Sequence, residues 1–230
     1  MVSGGARGLG HAITARLVTG GWQVSVGVRD PDAARAQLAD LEKAVHISAF
    51  DATDRPAAEH WTSEVVDEFG RIDALINNAG ILRMVSFDKG TEDDLDALWE
   101  VNFKAPFRLC RAVLPHLRKT GRGRVISIAS TDGKRYRGTT TSLGYVATKH
   151  ALVQLSHAVR FAGWDDGVRA TAICPGAIDT DMIAGIPGVT PKAERLKPET
   201  IADMVASVLD LPNEAVVAEL VVNTRLESSL

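Results

Sequence analysis

Tyr145 and Lys149 lie four residues apart in the run Gly144–Tyr145–Val146–Ala147–Thr148–Lys149. On a helix this spacing puts a phenol and an ammonium on one face, one turn from each other. A cation there favours the phenolate and is expected to bring the tyrosine down from its free pKa of about 10. Tyr145 is then a candidate proton donor and acceptor near neutral pH. The same pair also fits one turn of an ordinary surface helix, so its neighbours decide. Ser130, just past an apolar segment, is a candidate hydroxyl for polarising a carbonyl, with Ser127, Thr131 and Ser142 as competitors. No histidine or carboxylate is arranged with Ser130 as in a hydrolase triad. Asn102 sits inside an otherwise good helix, where asparagine is mildly unfavourable. It is either an exposed polar residue or an inward one holding a water or a lysine.

A second set of residues suits a dinucleotide. Gly4, Gly8 and Gly10 follow a short apolar start and open a helical pattern. Glycines at such a turn let the backbone approach a pyrophosphate, which rests on the positive end of the next helix. At the end of the following strand an acid would bond the ribose 2′-hydroxyl, whereas a 2′-phosphate prefers arginine. Val28 occupies that place and Arg29 follows, with Arg7 in the glycine loop able to reach the same phosphate. Asp30 is the competing acid, but it precedes Pro31 and fits a helix N-cap. These residues favour NADP(H) over NAD(H). Asp51 could accept from an adenine amino group or simply form a turn before Thr53. Asn77–Asn78–Ala79–Gly80 could be an Asx-rich turn, but at a central strand end it suits a cofactor-facing role.

These residues must be positioned by a framework. Strands are expected at residues 22–28, 45–50, 72–76, 124–129, 168–173 and 216–222. Helices are expected at 11–19, 31–41, 54–69, 144–161 and 198–209, with a long one from 91 to about 119 interrupted at Pro106 and Pro115. Residues 179–197, with their prolines and glycines, read as irregular and mobile. Met1–Val2–Ser3 reads as a truncated first strand. Continuously apolar strands alternating with helices imply one doubly wound α/β domain over residues 1–230, a parallel sheet of about seven strands covered on both faces. Ligands of such sheets bind beyond the carboxyl ends of the strands, where every unusual segment above falls. A net charge of −3 gives no reason to expect nucleic acid or an anionic membrane as partner. No apolar run approaches the ~20 residues of a membrane span, and no signal peptide opens the chain. Cys110 and Cys174 read as reduced core thiols of a cytoplasmic protein, and the histidines show no metal-ligand spacing.

Together these segments resemble the short-chain dehydrogenase/reductase family, along essentially the whole chain. Ser3–Gly4–Gly5–Ala6–Arg7–Gly8–Leu9–Gly10 looks like its Thr-Gly-x-x-x-Gly-x-Gly, and Asn77–Asn78–Ala79–Gly80 like its Asn-Asn-Ala-Gly. Tyr145-x-x-x-Lys149 and Pro175–Gly176 with Thr180 match two more of its motifs. The resemblance implies a Rossmann-like fold and hydride transfer between NAD(P)(H) and a carbonyl or secondary alcohol. It implies Tyr145 as general acid/base, Lys149 lowering its pKa and holding the nicotinamide ribose, Ser130 on the substrate oxygen, and Asn102 anchoring a relay water. It implies cofactor contacts from Ser3, Gly4, Arg7, Gly8, Leu9, Gly10, Arg29, Asp51, Ala52, Asn78, Ala79, Gly80, Pro175, Gly176, Ile178 and Thr180. No metal is implied. The family also implies a homodimer or homotetramer, packed through the two long helices and, often, the last strand and tail.

The chain departs from the family in its short start, in Ser3 for threonine, and in a slightly longer Ser130–Tyr145 interval carrying the basic run 135–141. The reading is an NADP(H)-dependent carbonyl reductase or alcohol dehydrogenase acting on a small molecule. The alternatives are the same chemistry with NAD(H), or a non-catalytic dinucleotide-binding regulator. Residues 181–197 should fold over the substrate.

Overall fold

The computed structural model describes residues 1–41, 44–138, 141–184, 186 and 189–224. Thr139 and Thr140 of the basic run, Gly185, Pro187 and Gly188 of the expected substrate loop, and the tail after Thr224 lie outside the described residues.

Seven parallel strands form one sheet in the order β3-β2-β1-β4-β5-β6-β7. They are β1 (Val2–Ser3), β2 (Val24–Val28), β3 (Val45–Ala49), β4 (Ala74–Asn77), β5 (Arg124–Ile128), β6 (Arg169–Pro175) and β7 (Glu219–Val222). The helices between them are α1 (Gly8–Thr19), α2 (Pro31–Gln37), α3 (Ala57–Phe69), α4 (Glu92–Trp99), α5 (Ala105–Lys119), α6 (Leu143–Gly163) and α7 (Pro198–Asp210). The strand order reverses between β1 and β4, which is where a doubly wound sheet opens its ligand crevice.

Alternate strand residues face opposite layers. Leu75 and Val125 join Trp61, Leu109, Leu117 and Leu152 under α3, α5 and α6. Ile76 and Ile126 join Ile13, Leu17, Ile173, Ile201 and Val205 under α1 and α7. Both layers are continuous, so the buried strands read as unbroken apolar runs.

Local chemistry sets the helix starts. Asp30 accepts from the Ala33 N–H at 3.0 Å, with Pro31 in the first turn. Thr91 and Asp94 form a reciprocal capping box on α4. Ser142 caps α6 by accepting from the Tyr145 N–H at 3.2 Å.

The structure differs from the expected elements in several places. The long helix is interrupted not at its prolines but just before them, by a π turn at Glu100–Lys104. Pro106 falls in the first turn of α5, where its missing N–H costs nothing, and Pro115 sits inside α5 without ending it. Pro175 ends β6 rather than following it. Trp22 and Gln23 precede β2, and residues 54–56 precede α3.

The short first strand lies in the middle of the sheet. Val2 pairs with Val26 on one side and Ile76 on the other, and Ser3 pairs with Gly27. Beneath Met1 the sheet opens into a cleft of about 380 Å³, lined among others by Leu17, Val24, Val65 and Ile72. Among the described residues no helix is long and apolar enough to cross a membrane.

Candidate active site

The carboxyl ends of β1, β4, β5 and β6 bring the sequence-chosen residues to one edge. The glycine loop and the Asn-Asn-Ala-Gly turn are tied directly to each other. Ser3 Oγ accepts from the Asn78 and Ala79 N–H groups, both at 3.0 Å. The Asn78 side chain donates to the Ser3 and Gly4 carbonyls at 2.9 and 3.2 Å. Ser3 and the Asn78 amide therefore build the floor rather than reach beyond it. The loop is too tight for side chains: a Cβ on Gly10 would lie 2.0 Å from the Gly4 carbonyl oxygen. Gly8 has φ 53°, and a Cβ there would lie 3.4 Å from the Thr180 methyl, so Thr180 closes over the loop from β6. Leu9 turns its side chain into the core. Arg7 precedes α1 with extended backbone and gives no side-chain cap, so the first-turn N–H groups stay available. These features fit a dinucleotide pyrophosphate.

Arg7 and Arg29 are exposed, and among the described residues neither side chain makes a hydrogen bond or an ion pair. The Asp30 side chain is committed to its N-cap bond. Asp51 takes the turn option: it accepts from Thr53 N and Oγ1 at 2.8 and 2.7 Å. Those bonds, followed by the Arg29 charge, hold its carboxyl below the usual range. Ala52 is buried, and its carbonyl accepts from Arg108 at 3.3 Å. Gly176 donates to the Val222 carbonyl at 2.8 Å, and Ile178 bridges to Leu196, anchoring the segment after β6.

Asn102 owes its inward position to the π turn. It is fully buried; its amide donates to the Ile81 carbonyl at 3.0 Å and Thr148 Oγ1 at 3.2 Å, while Oδ1 accepts from the Ile81 N–H at 2.9 Å. A Cβ on Gly80 would meet Asn102 Oδ1 at 3.3 Å and Lys149 Nζ at 3.6 Å, so this glycine lets the two side chains approach.

Lys149 is buried, donates to the Ile128 carbonyl at 2.8 Å, and lies 5.6 Å from the centre of the Tyr145 ring. Burial pulls its ammonium down to about 8. Tyr145 is half-buried as a residue, with its phenol end enclosed beside Ser130. Its pKa stands above the ordinary tyrosine value, not below it. Burial is the largest cause, the Asp132 charge adds to it, and the Ser130 hydroxyl opposes both. Lys149 does not reverse this because its ammonium is turned to the Ile128 carbonyl. Near neutral pH the phenol therefore keeps its proton.

Of the competing hydroxyls, Ser127 is a buried strand residue, and Ser142 is spent on capping α6 and on the Arg83 carbonyl at 2.6 Å. Asp132 was not singled out by spacing. It is buried two residues past Ser130, donates its N–H to Ser130 Oγ at 3.1 Å, and lies 2.7 Å from Arg137. Its signal is an acid at the head of an otherwise basic insert. Lys134 and His157 instead pair with Glu219 of β7, fixing the loop after Ser130 to the last strand.

The profile of the short chain dehydrogenase family matches residues 1–188. An agropine synthesis reductase of Rhizobium rhizogenes is 36% identical over 218 residues, which is 94% of this chain and 50% of that protein. The chain thus spans about half the length of the curated relatives that head the comparison. An acetoacetyl-CoA reductase of Rhizobium meliloti is 30% identical over 187 residues, covering 81% of this chain and 76% of its own. Among solved structures, an alcohol dehydrogenase from the archaeon Thermococcus sibiricus complexed with 5-hydroxy-NADP superposes with a TM-score of 0.86. It is 29% identical and the match covers 96% of this chain and 94% of that one.

Proposed function

The chain belongs to the short-chain dehydrogenase family, and we propose that it is an NADP(H)-dependent reductase of a small carbonyl compound, or dehydrogenase of the matching secondary alcohol. One observation carries the reading: Ser130, Tyr145 and Lys149 converge beside a glycine loop too tight for anything but a backbone cradle. The cofactor, when bound, supplies or accepts the hydride at C4 of its nicotinamide. The chain supplies position and a proton. Gly4, Arg7, Gly8, Leu9 and Gly10 hold the pyrophosphate through the backbone. Asp51, Ala52, Ala79 and Gly80 face the adenosine and ribose, and Pro175, Gly176, Ile178 and Thr180 face the carboxamide.

Ser130 and Tyr145 take the substrate oxygen between two hydroxyls. In reduction the Tyr145 proton passes to that oxygen as the carbonyl carbon receives the hydride, and its enclosed, neutral phenol suits that acid role. Lys149 would hold the nicotinamide ribose of a bound cofactor and keep a proton at hand for Tyr145, and Asn102 would hold a water that resupplies Lys149. Two buried free thiols, Cys110 and Cys174, suit a reducing cytoplasm. The continuous sheet suits one catalytic domain over residues 1–230. Phe107 on α5 and Phe161 on α6, 45% and 78% exposed, suit a homodimer or homotetramer packed through those helices.

Arg7 and Arg29 set the cofactor preference. Charge-assisted bonds to a 2′-phosphate contribute roughly 1.5–3 kcal/mol, so NADPH should bind about 10- to 100-fold more tightly than NADH. Calorimetric dissociation constants for the two check this. Equal affinities, or a preference for NADH, would assign the site to NAD(H).

A further inference from the structure

We propose that Asp132 determines specificity by accepting a hydrogen bond from a hydroxyl or ammonium group carried next to the reacting carbonyl of the substrate. The inference rests on the reductase reading above and adds a substrate class to it.

The placement comes from the turn Thr131–Gly133, which packs directly on α6. A Cβ on Gly133 would lie 2.9 Å from the Lys149 carbonyl oxygen. The Asp132 N–H bonds Ser130 Oγ at 3.1 Å, and the Ser130 hydroxyl lies close enough to the Tyr145 phenol to act on its titration. The carboxylate is thus fixed beside the two hydroxyls that take the substrate oxygen, close enough to act electrostatically on Tyr145.

A buried carboxylate needs partners, and an ionised one offers two oxygens with about four acceptor sites. Asp132 is poorly supplied. Arg137 approaches Oδ1 at 2.7 Å, but off the hydrogen-bond direction, and Oδ1 accepts no hydrogen bond among the described residues. Of the neighbouring cations, Arg135 is also engaged, and Lys134 is committed to Glu219, which His157 also engages. From α6 the groups facing this turn are Tyr145 and Lys149, and Lys149 donates to the Ile128 carbonyl; from β6 it is the Cys174 thiol. A negative charge here also disfavours a phenolate at Tyr145. A donor on the substrate would fill the vacant acceptor positions and offset that charge.

The test is NADPH-dependent reduction of three ketones sharing one carbon skeleton: the parent, its α-hydroxy form and its α-ammonium form. The readout is the ratio of kcat/KM for each substituted ketone to that of the parent. The protein should prefer both substituted ketones by about tenfold or more, since a buried polar group left unpaired is costly. In Asp132→Ala both preferences should fall by about fivefold or more, through KM. Asp132→Asn, which keeps an acceptor oxygen but no charge, should retain the hydroxy preference and lose the ammonium one. It also gives the reading if Asp132→Ala does not fold. Ratios unchanged in both variants, or lowered equally by Arg137→Met, would overturn the inference and leave Asp132 as a loop pin. If no ketone is turned over, the reductase reading has failed separately. Calorimetric binding of the three alcohols with NADP⁺ then decides on Asp132 by the same ratios, equal affinities overturning it.

Discussion

Two buried cations sit at opposite edges of the same sheet. At the carboxyl edge, Lys149 donates to the Ile128 carbonyl at 2.8 Å. At the amino edge, Arg124 donates to the Leu211 carbonyl at 2.7 Å and to Asn213 Oδ1 at 2.9 Å. Burial lowers both, Lys149 to about 8. The physics is shared and the surroundings are not. Lys149 has a phenol, a hydroxyl and a buried amide within its reach, on a tightly packed floor. Arg124 has backbone carbonyls, the Asn213 amide and the like charges of Arg122 and Arg169. A perturbed pKa therefore marks a functional site only where other reactive groups converge on it.

The largest expected difference between the edges is in turnover. Lys149→Met should lower kcat by about 10²–10⁴-fold, the usual worth of a positioned proton transfer. Arg124→Met should leave kcat within about threefold, because it lies outside any such transfer. Steady-state NADPH oxidation reads both, and a comparable loss in each would break the contrast.

Next comes the pH dependence of stability. A base with a lowered folded pKa binds fewer protons folded than unfolded between its two values, so stability rises with pH across that window. For Lys149 the window runs from about 8 to 10.5. It contributes on the order of 3 kcal/mol across that window. Urea unfolding over pH should lose that rise in Lys149→Met and keep it in Arg124→Met.

The smallest effect concerns packing. Ile126, fully buried in the middle of the sheet, should cost near the upper end of about 2–5 kcal/mol when cut to alanine. Ile72 lines the cleft, so its removal enlarges an existing void and should cost near the lower end. Equal unfolding free energies would show that the cleft closes in solution.

Much of the site was legible because its chemistry needs particular residue types at fixed spacing. The glycine loop, the Asn-Asn-Ala-Gly turn and the Tyr145–Lys149 pair all meet at one sheet edge, and the alternation of apolar strands with helices gave the layers. The rest depends on contacts that spacing does not encode. The π turn that buries Asn102 has no compositional mark, so the prolines nearby drew the expected break instead. Ser3 and Asn78 carry polar side chains toward the cofactor edge, yet each is spent on the other's backbone. The direction of the Tyr145 shift was missed because it depends on enclosure and on Asp132, a residue visible in sequence only as one acid before a basic run.

The central claim is that Tyr145 gives its proton to the carbonyl oxygen while the carbonyl carbon takes the hydride. It is tested most directly by mixing the protein with NADPH deuterated at C4 and a panel of ketones, then reading the carbinol carbon by NMR. The expected result is deuterium at that carbon with the unaltered protein, and loss of turnover by about 10²-fold or more in Tyr145→Phe with NADPH binding retained. Equal label transfer by Tyr145→Phe, or tight NADPH binding with no label transferred to any ketone, would contradict it.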